Sequence, residues 1–251
     1  MHFLLLVAAG FLAGGMNALA GGGSFVSMPA LIAFGLPATI ANASSTVALV
    51  PGAISSAWPY RRDISAIAPL SLPLLFSVSI IGGALGAGLL LVTPTNLFDK
   101  IVPWLLLIAG VFLWFGPRIR AWWAARDIHI GFRGALAAQI ALAIYGGYFG
   151  GGVGLMMMAL WTMFASLDIK AMTGTRIVTV GLTNAAAVIC FTIAGAVAWP
   201  PTLALLAGAA AGGYTGAHVG RMLPAQIVRV IVLGVTLVTT VMFFVRAYGQ
   251  G

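Results

Sequence analysis

The chain has 251 residues, of which 61% are hydrophobic and 6% charged, and its mean hydropathy is +1.10. Soluble domains average about 45–50% apolar and roughly 25% charged residues, so this composition cannot supply a water-facing surface and excludes a soluble globular fold. The formal charge of +8 comes from 12 Lys and Arg against 4 acids. These basic residues sit between apolar runs, which reads as loops held on the cytoplasmic side of a membrane and not as a nucleic-acid footprint.

The apolar runs are continuous, without the alternation of a transmembrane β-barrel, so the expected fold is an all-α integral membrane protein. In chain order, residues 3–20 and 24–35 form a hairpin interrupted by Gly21, Gly22 and Gly23, and spans follow near 41–58, 65–92 and 98–116. Residues 118–132 form a basic connection with Arg118, Arg120 and Arg126. A second hairpin, 133–149 and 152–166, is interrupted by Gly150, Gly151 and Gly152, and is followed by spans near 172–192, 200–220 and 226–246. Segments 24–35 and 152–166 fall short of the roughly 17–25 residues of a span and are expected to turn back inside the membrane.

These series repeat one another. Gly14 and Gly15, the glycine run at 21–23 and the polar stretch 41–46 find counterparts in Gly146 and Gly147, the run at 150–152 and the stretch 172–177. Further on, Gly82, Gly83, Gly86 and Pro94 match Gly212, Gly213, Gly216 and Pro224. The expected organisation is a first repeat over 1–117, a basic cytoplasmic connection over 118–132 and a second repeat over 133–251. Each repeat is a glycine-broken helical hairpin plus three transmembrane helices. Placing Arg61, Arg62, residues 118–133, Arg176, Arg221 and Arg229 in the cytoplasm satisfies the charge rule and makes the repeats inverted; four full spans per half would instead make them parallel. Residues 1–20 lack a basic n-region and their counterpart lies mid-chain, so they are expected to remain in the mature protein.

Repeats of this length, each with a discontinuous helix at the same position, point to a transporter whose substrate site lies between them. Helix N-termini offer free N–H groups and a partial positive charge, which suits an anion. The candidate substrate-binding residues are therefore Gly21, Gly22, Gly23, Ser24, Gly150, Gly151 and Gly152. Asn42, Ser44, Ser45, Thr173 and Thr175 add hydroxyls and amides, and Arg176 adds a charge able to pair with an oxyanion. Each has a plainer reading: close packing for the glycines, helix capping for the hydroxyls and snorkelling for Arg176. Asn17, Asn184, Tyr214 and His218 are weaker candidates, and Met156, Met157 and Met158 read as packing. No catalytic set and no metal-ligand spacing is visible, since His2, His129 and His218 are far apart, so neither an enzyme nor a cofactor is expected. Cys190 is alone, which excludes an internal disulfide. There is no Glu, and all four Asp fall at expected loops or ends, so nothing obvious carries protons through the bundle.

The residues 20–31 (AGGGSFVSMPAL), Gly35-Leu36-Pro37, the stretch 41–45 (ANASS), Pro51-Gly52 and Tyr60-Arg61-Arg62 resemble the TauE/SafE family of sulfite exporters. Gly150 to Gly152 and Thr173 to Arg176 resemble that family's second-half version. The resemblance implies a multi-pass protein of the bacterial inner membrane, working alone or as a homodimer. It implies a secondary transporter that moves sulfite, sulfoacetate or a similar organosulfonate, in the export direction. An anion channel and a non-transporting membrane assembly protein remain open alternatives on the residues themselves.

Overall fold

A computed structural model describes residues 2–57, 64–124, 130–163, 169–220, 222 and 225–249. Among the described residues the regular elements are all helices: α1 (His2–Ala20), α2 (Ser24–Ala33), α3 (Ala38–Ala57), α4 (Leu72–Val92), α5 (Thr95–Ala124), α6 (Phe132–Tyr148), α7 (Val153–Trp161), α8 (Ile169–Ile193), α9 (Trp199–Gly220) and α10 (Ala225–Tyr248). Stretches of α1, α4, α5, α8 and α10 are each long and apolar enough to cross a membrane. Leu4, Val92, Ile193, Leu237 and Val238 are exposed on the outside of these helices, where lipid replaces water as solvent. Helices are the natural solution there because every backbone group is satisfied within its own segment. The hydroxyls follow the same logic: Thr46, Thr179, Thr183, Thr202, Thr236 and Thr240 each donate to the carbonyl four residues earlier.

Each half embraces the other. The closest packing joins α1 to α9 and α4 to α6, and in both pairs the partners come from different halves. Small residues make it possible: a methyl group at Gly10, Gly14, Gly208 or Gly212 would collide with backbone of the facing helix, and so would one at Gly86 or Gly147. Contacts advance together along α1 and α9, from Gly10 with Leu205 to Gly15 with Gly216, so these helices run parallel. Along α4 and α6 they advance from Ser79 with Gln139 to Gly86 with Gly147, again parallel. Helix α3 follows α9 (Ser44 to Ala198, Gly52 to Gly213) and α8 follows α4 (Thr175 to Ser65, Thr183 to Gly83). The chain reverses between α8 and α9 through residues 194–198, so the two sets of helices point in opposite directions. Phe34, just past α2, returns to Phe3 at 5.4 Å between ring centroids, so α2 folds back along α1.

Two elements differ from expectation. Helix α4 begins at Leu72 and not near residue 65. Pro69 removes a donor and bars its predecessor from helical geometry, and the Ala68–Pro69 peptide is cis. Ile67 and Leu70 bridge across the turn and are fully buried. Helix α5 continues to Ala124, so the basic residues Arg118 and Arg120 ride on its last turns. The core sits around both hairpins and includes Met28, Leu31, Phe98, Phe149, Met157, Trp161 and Phe191.

Candidate functional site

The glycine runs are where two helices end in the middle of the bundle. Gly21 takes φ +73° after α1 while its N–H donates to the Asn17 carbonyl at 2.8 Å, and Gly150 takes φ +75° after α6. Side chains other than glycine resist this left-handed geometry by about 1–2 kcal/mol per residue, which explains why the turns are built from glycine. Helices α2 and α7 start immediately beyond, and their first turns bond back to the glycine runs: Phe25 donates to the Gly22 carbonyl, Val26 and Ser27 to that of Gly23, and Leu155 and Met156 to that of Gly152.

The two turns are held against each other by residues of the opposite half. A methyl at Gly21 would lie 3.7 Å from Arg176 Nη1 and 3.9 Å from the Cα of Gly154, and one at Gly154 would lie 3.1 Å from the same Nη1. A methyl at Gly150 would lie 3.8 Å from Thr46 Oγ1 and 4.0 Å from Ser24 Oγ. Thus Gly21 faces α7 and α8 of the second half, and Gly150 faces α2 and α3 of the first. Phe25 fills the space between them, close to Gly22, Gly151 and Gly152.

Asn42 is 1% exposed; its Nδ2 donates to the Tyr148 carbonyl at 2.9 Å, and its Oδ1 is buried with no hydrogen-bond partner among the described residues. One turn later, Thr46 donates to the Asn42 carbonyl at 3.0 Å. Ser45 and Ser27 share a hydrogen bond, and Ser27 also donates to the Gly23 carbonyl at 3.1 Å. Ser44 accepts from the N–H of Ala198 at 3.0 Å. In the other half Thr175 accepts from the N–H of Ser65 at 2.9 Å and donates to its carbonyl at 2.8 Å. These two hydroxyls therefore clasp the loop after α8 and the segment before α4, one from each half. Tyr145 donates to the Gly151 carbonyl at 2.9 Å and fixes the second turn.

Arg176, half-buried on α8, supplies the positive charge that reaches the glycine runs. The other described basic side chains lie elsewhere. Arg246 pairs with Asp99 at 3.6 Å where α10 ends, Arg118 lies 5.9 Å from the Phe115 ring, and Arg133 is exposed at the start of α6. No group of His, Cys, Asp or Glu that could hold a metal occurs among the described residues.

Of the residues singled out in the sequence, Gly21, Ser24, Gly150 and Arg176 come together, with Gly22, Gly23, Gly151 and Gly152 completing the two turns. Asn42 adjoins them through Tyr148; Ser45, Ser44 and Thr175 have committed partners, and Thr173 is half-buried on α8. Asn184 has a buried Oδ1 with no hydrogen-bond partner among the described residues, whereas Tyr214 and His218 are exposed and engage one another at 4.6 Å between rings. Met156 and Met157 are core side chains. Sequence reading passed over Tyr148 and Gly154, and took in Thr46 only as the end of the polar stretch 41–46. Gly154 carries a signal, being the next glycine after the 150–152 run, but the Tyr148 carbonyl carries none, because any residue could provide it.

Comparison with known proteins agrees with this architecture. The family model for sulfite exporter TauE/SafE matches residues 6–243. A probable membrane transporter protein of Haemophilus influenzae is 25% identical over 98% of this chain and 95% of its own length. The probable membrane transporter protein YfcA of Escherichia coli K12 is 22% identical over 95% of this chain and 88% of its own. The probable membrane transporter protein ORF9 of Sinorhizobium sp is 26% identical over 94% and 90% respectively. No solved structure gives a significant match. With a family match over nearly its whole length and membrane-spanning helices, this chain is a multi-pass membrane protein of the TauE/SafE sulfite exporter family, a family of membrane transporters.

Proposed function

We propose that the protein is a secondary transporter that carries a small sulfur-containing oxyanion, sulfite or an organosulfonate such as sulfoacetate, outward across the bacterial inner membrane. The observation that carries this reading is the guanidinium of Arg176 set against Gly21 and Gly154, where two broken helices from opposite halves meet. One fixed positive charge, together with the partial charges at the N-termini of α2 and α7, makes a receptor for one anion. The repeats are read as 1–117 and 133–251, inverted relative to each other. The opposed directions of α1 and α6, α3 and α8, and α4 and α9 support that reading. It leaves the ends of α3, α5 and α9 on one face, beside the basic sequences at 61–62, 118–133 and 221–229, as the charge rule requires of a cytoplasmic side.

In this scheme the hairpins hold the anion near the midplane and the halves rock around it. The Ser44 clasp, near the start of α3, and the Thr175 clasp, near the start of α8, tie opposite faces, and opening one while the other stays shut gives alternating access. An interior negative potential drives a single negative charge outward with about 2.3 kcal/mol per 100 mV. The test is flux into and out of proteoliposomes, with labelled sulfite, sulfoacetate and sulfate under an imposed potential. Saturable, potential-sensitive flux that falls at least about tenfold in Arg176→Gln, the loss expected of a charge-assisted pair of about 1.5–3 kcal/mol, supports the carrier and its site. Non-saturating flux would make it a channel, and no flux from folded protein would remove the sulfur assignment.

A further inference from the structure

We propose that the Phe25 side chain is the gate of the site and limits the size of the anion it takes. Its ring fills the place of the anion in this structure, and movement of α2 against a fixed α7 withdraws it. The inference rests on the anion-transport reading and names a selectivity residue within that site.

Phe25 is the second residue of α2 and is 2% exposed. A methyl added at Gly22 would lie 3.2 Å from its Cδ2, one at Gly151 2.8 Å from its Cε1, and one at Gly152 3.0 Å from its Cζ. The ring is therefore wedged against the backbone of both glycine runs, with little room even for a methyl group. An anion held between the runs and this ring exclude one another. The ring brings no hydrogen-bond donor of its own, so it adds nothing to the binding of an oxyanion and must leave for one to enter.

The two short helices are fixed unequally. Helix α7 is tied to α6 at both ends: Tyr145 donates to the Gly151 carbonyl at 2.9 Å, and Trp161 Nε1 donates to Gln139 Oε1 at 3.0 Å. Gln139 Nε2 in turn donates to Ser79 Oγ on α4 at 3.2 Å, and the side chains of Trp161, Gln139 and Ser79 are fully buried. A satisfied buried network of this kind rigidifies what it joins. In α2, by contrast, Pro29 has no N–H, so the Phe25 carbonyl loses its helical donor. Thr239 of α10 reaches that carbonyl at 3.1 Å and the Val235 carbonyl of its own helix at 2.7 Å. One hydroxyl hydrogen serves both acceptors, so Thr239 stays satisfied when Phe25 moves away. Beyond this point Pro29, Ile32 and Ala33 border a cavity of about 370 Å³ against Met242 and Phe243 of α10, which gives α2 space to shift. The hydrogen bond between Ser27 and Ser45 is the pivot.

A ring in the site is an internal competitor of the substrate. The apparent dissociation constant is the intrinsic one divided by the fraction of protein in the open state. Minor conformations of this kind are commonly populated at about 0.1–10%. Removing the ring should therefore tighten anion binding by at least about tenfold, whereas lost packing alone weakens binding or leaves it unchanged.

The experiment measures sulfite binding to the full-length protein by calorimetry, in wild type, Phe25→Ala and Phe25→Leu. Phe191→Leu, which also truncates a fully buried ring, near the end of α8, controls for lost packing. The expected result is binding at least about tenfold tighter in Phe25→Ala, with Phe25→Leu between it and wild type and Phe191→Leu no tighter than wild type. In proteoliposomes the flux of benzenesulfonate relative to sulfoacetate should rise in Phe25→Ala and stay unchanged in Phe191→Leu. Equal or weaker sulfite binding in folded Phe25 variants, or a uniform slowing of both organosulfonates, would overturn the proposal and leave the anion reading standing. Should neither Phe25 variant fold, hydrogen exchange in the wild type decides. Sulfite should then change exchange across residues 24–33 and leave residues 153–161 unchanged; no change in the first segment, or equal change in both, counts against the gate. Absence of sulfite binding in every folded form removes this inference together with the anion reading.

Discussion

Gly150 and Gly21 hold left-handed backbone beside polar groups of the opposite half, whereas Gly88 sits in regular helix with nothing within 4 Å of an added methyl. Gly150→Ala is therefore expected to lower stability by about 1–2 kcal/mol, the strain of a side chain at positive φ, while Gly88→Ala should be neutral or slightly stabilising. Thermal unfolding in detergent compares the two. The importance of the glycine runs was legible because glycine triplets ahead of short apolar segments have few other uses in a membrane. The partners of each glycine were not legible. Asn42 meets Tyr148 across a sequence separation of 106, through a carbonyl that no side-chain pattern encodes. Ser44 and Thr175 illustrate the same limit: both looked like ligands by type, and both hold backbone of the opposite half.

At the scale of the helix, the small-residue faces of α1 and α9 set how closely backbones approach. Gly212→Leu would push its side chain into the Phe11 carbonyl and is expected to cost at least about 1–3 kcal/mol, seen as loss of monodisperse protein or a lowered unfolding temperature. The ion pair between Asp99 and Arg246 is partly exposed, with side chains 27% and 40% accessible, and Asp99→Asn should change stability by less than about 1 kcal/mol. Helix number and order could be read from the apolar runs because a membrane span must be long and uncharged. The start of α4 could not, since Ile67 and Leu70 are as apolar as the helix that follows and only Pro69 separates them from it. The length of α5 was hidden for the opposite reason: its last turns carry arginines and look like a loop.

For the whole molecule, inversion makes a simple statement about sidedness. In a chain with Cys190→Ala, a cysteine introduced at Thr95, at the start of α5, should react with an impermeant reagent from the periplasm, and one at Ala225, at the corresponding start of α10, only after the cytoplasmic face is opened. Both reacting from the same side would sink the inverted arrangement. The proposed duplication rests on the order of glycines and polar stretches in the sequence, and its proposed inversion on loop charge. The exchange of partners between halves was not legible, because apolar small-residue faces fit several neighbours equally well.

That exchange has a consequence for how the protein is made. The glycine face of α1 belongs against α9, which leaves the ribosome near the end of synthesis. Until then α1 waits in lipid with its close-approach surface uncovered, and α4 waits in the same way for α6. Neither half is a folding unit, so residues 1–117 expressed alone should be degraded. The two halves expressed together as separate chains should rescue one another, because what completes each is the other and not the peptide link between them.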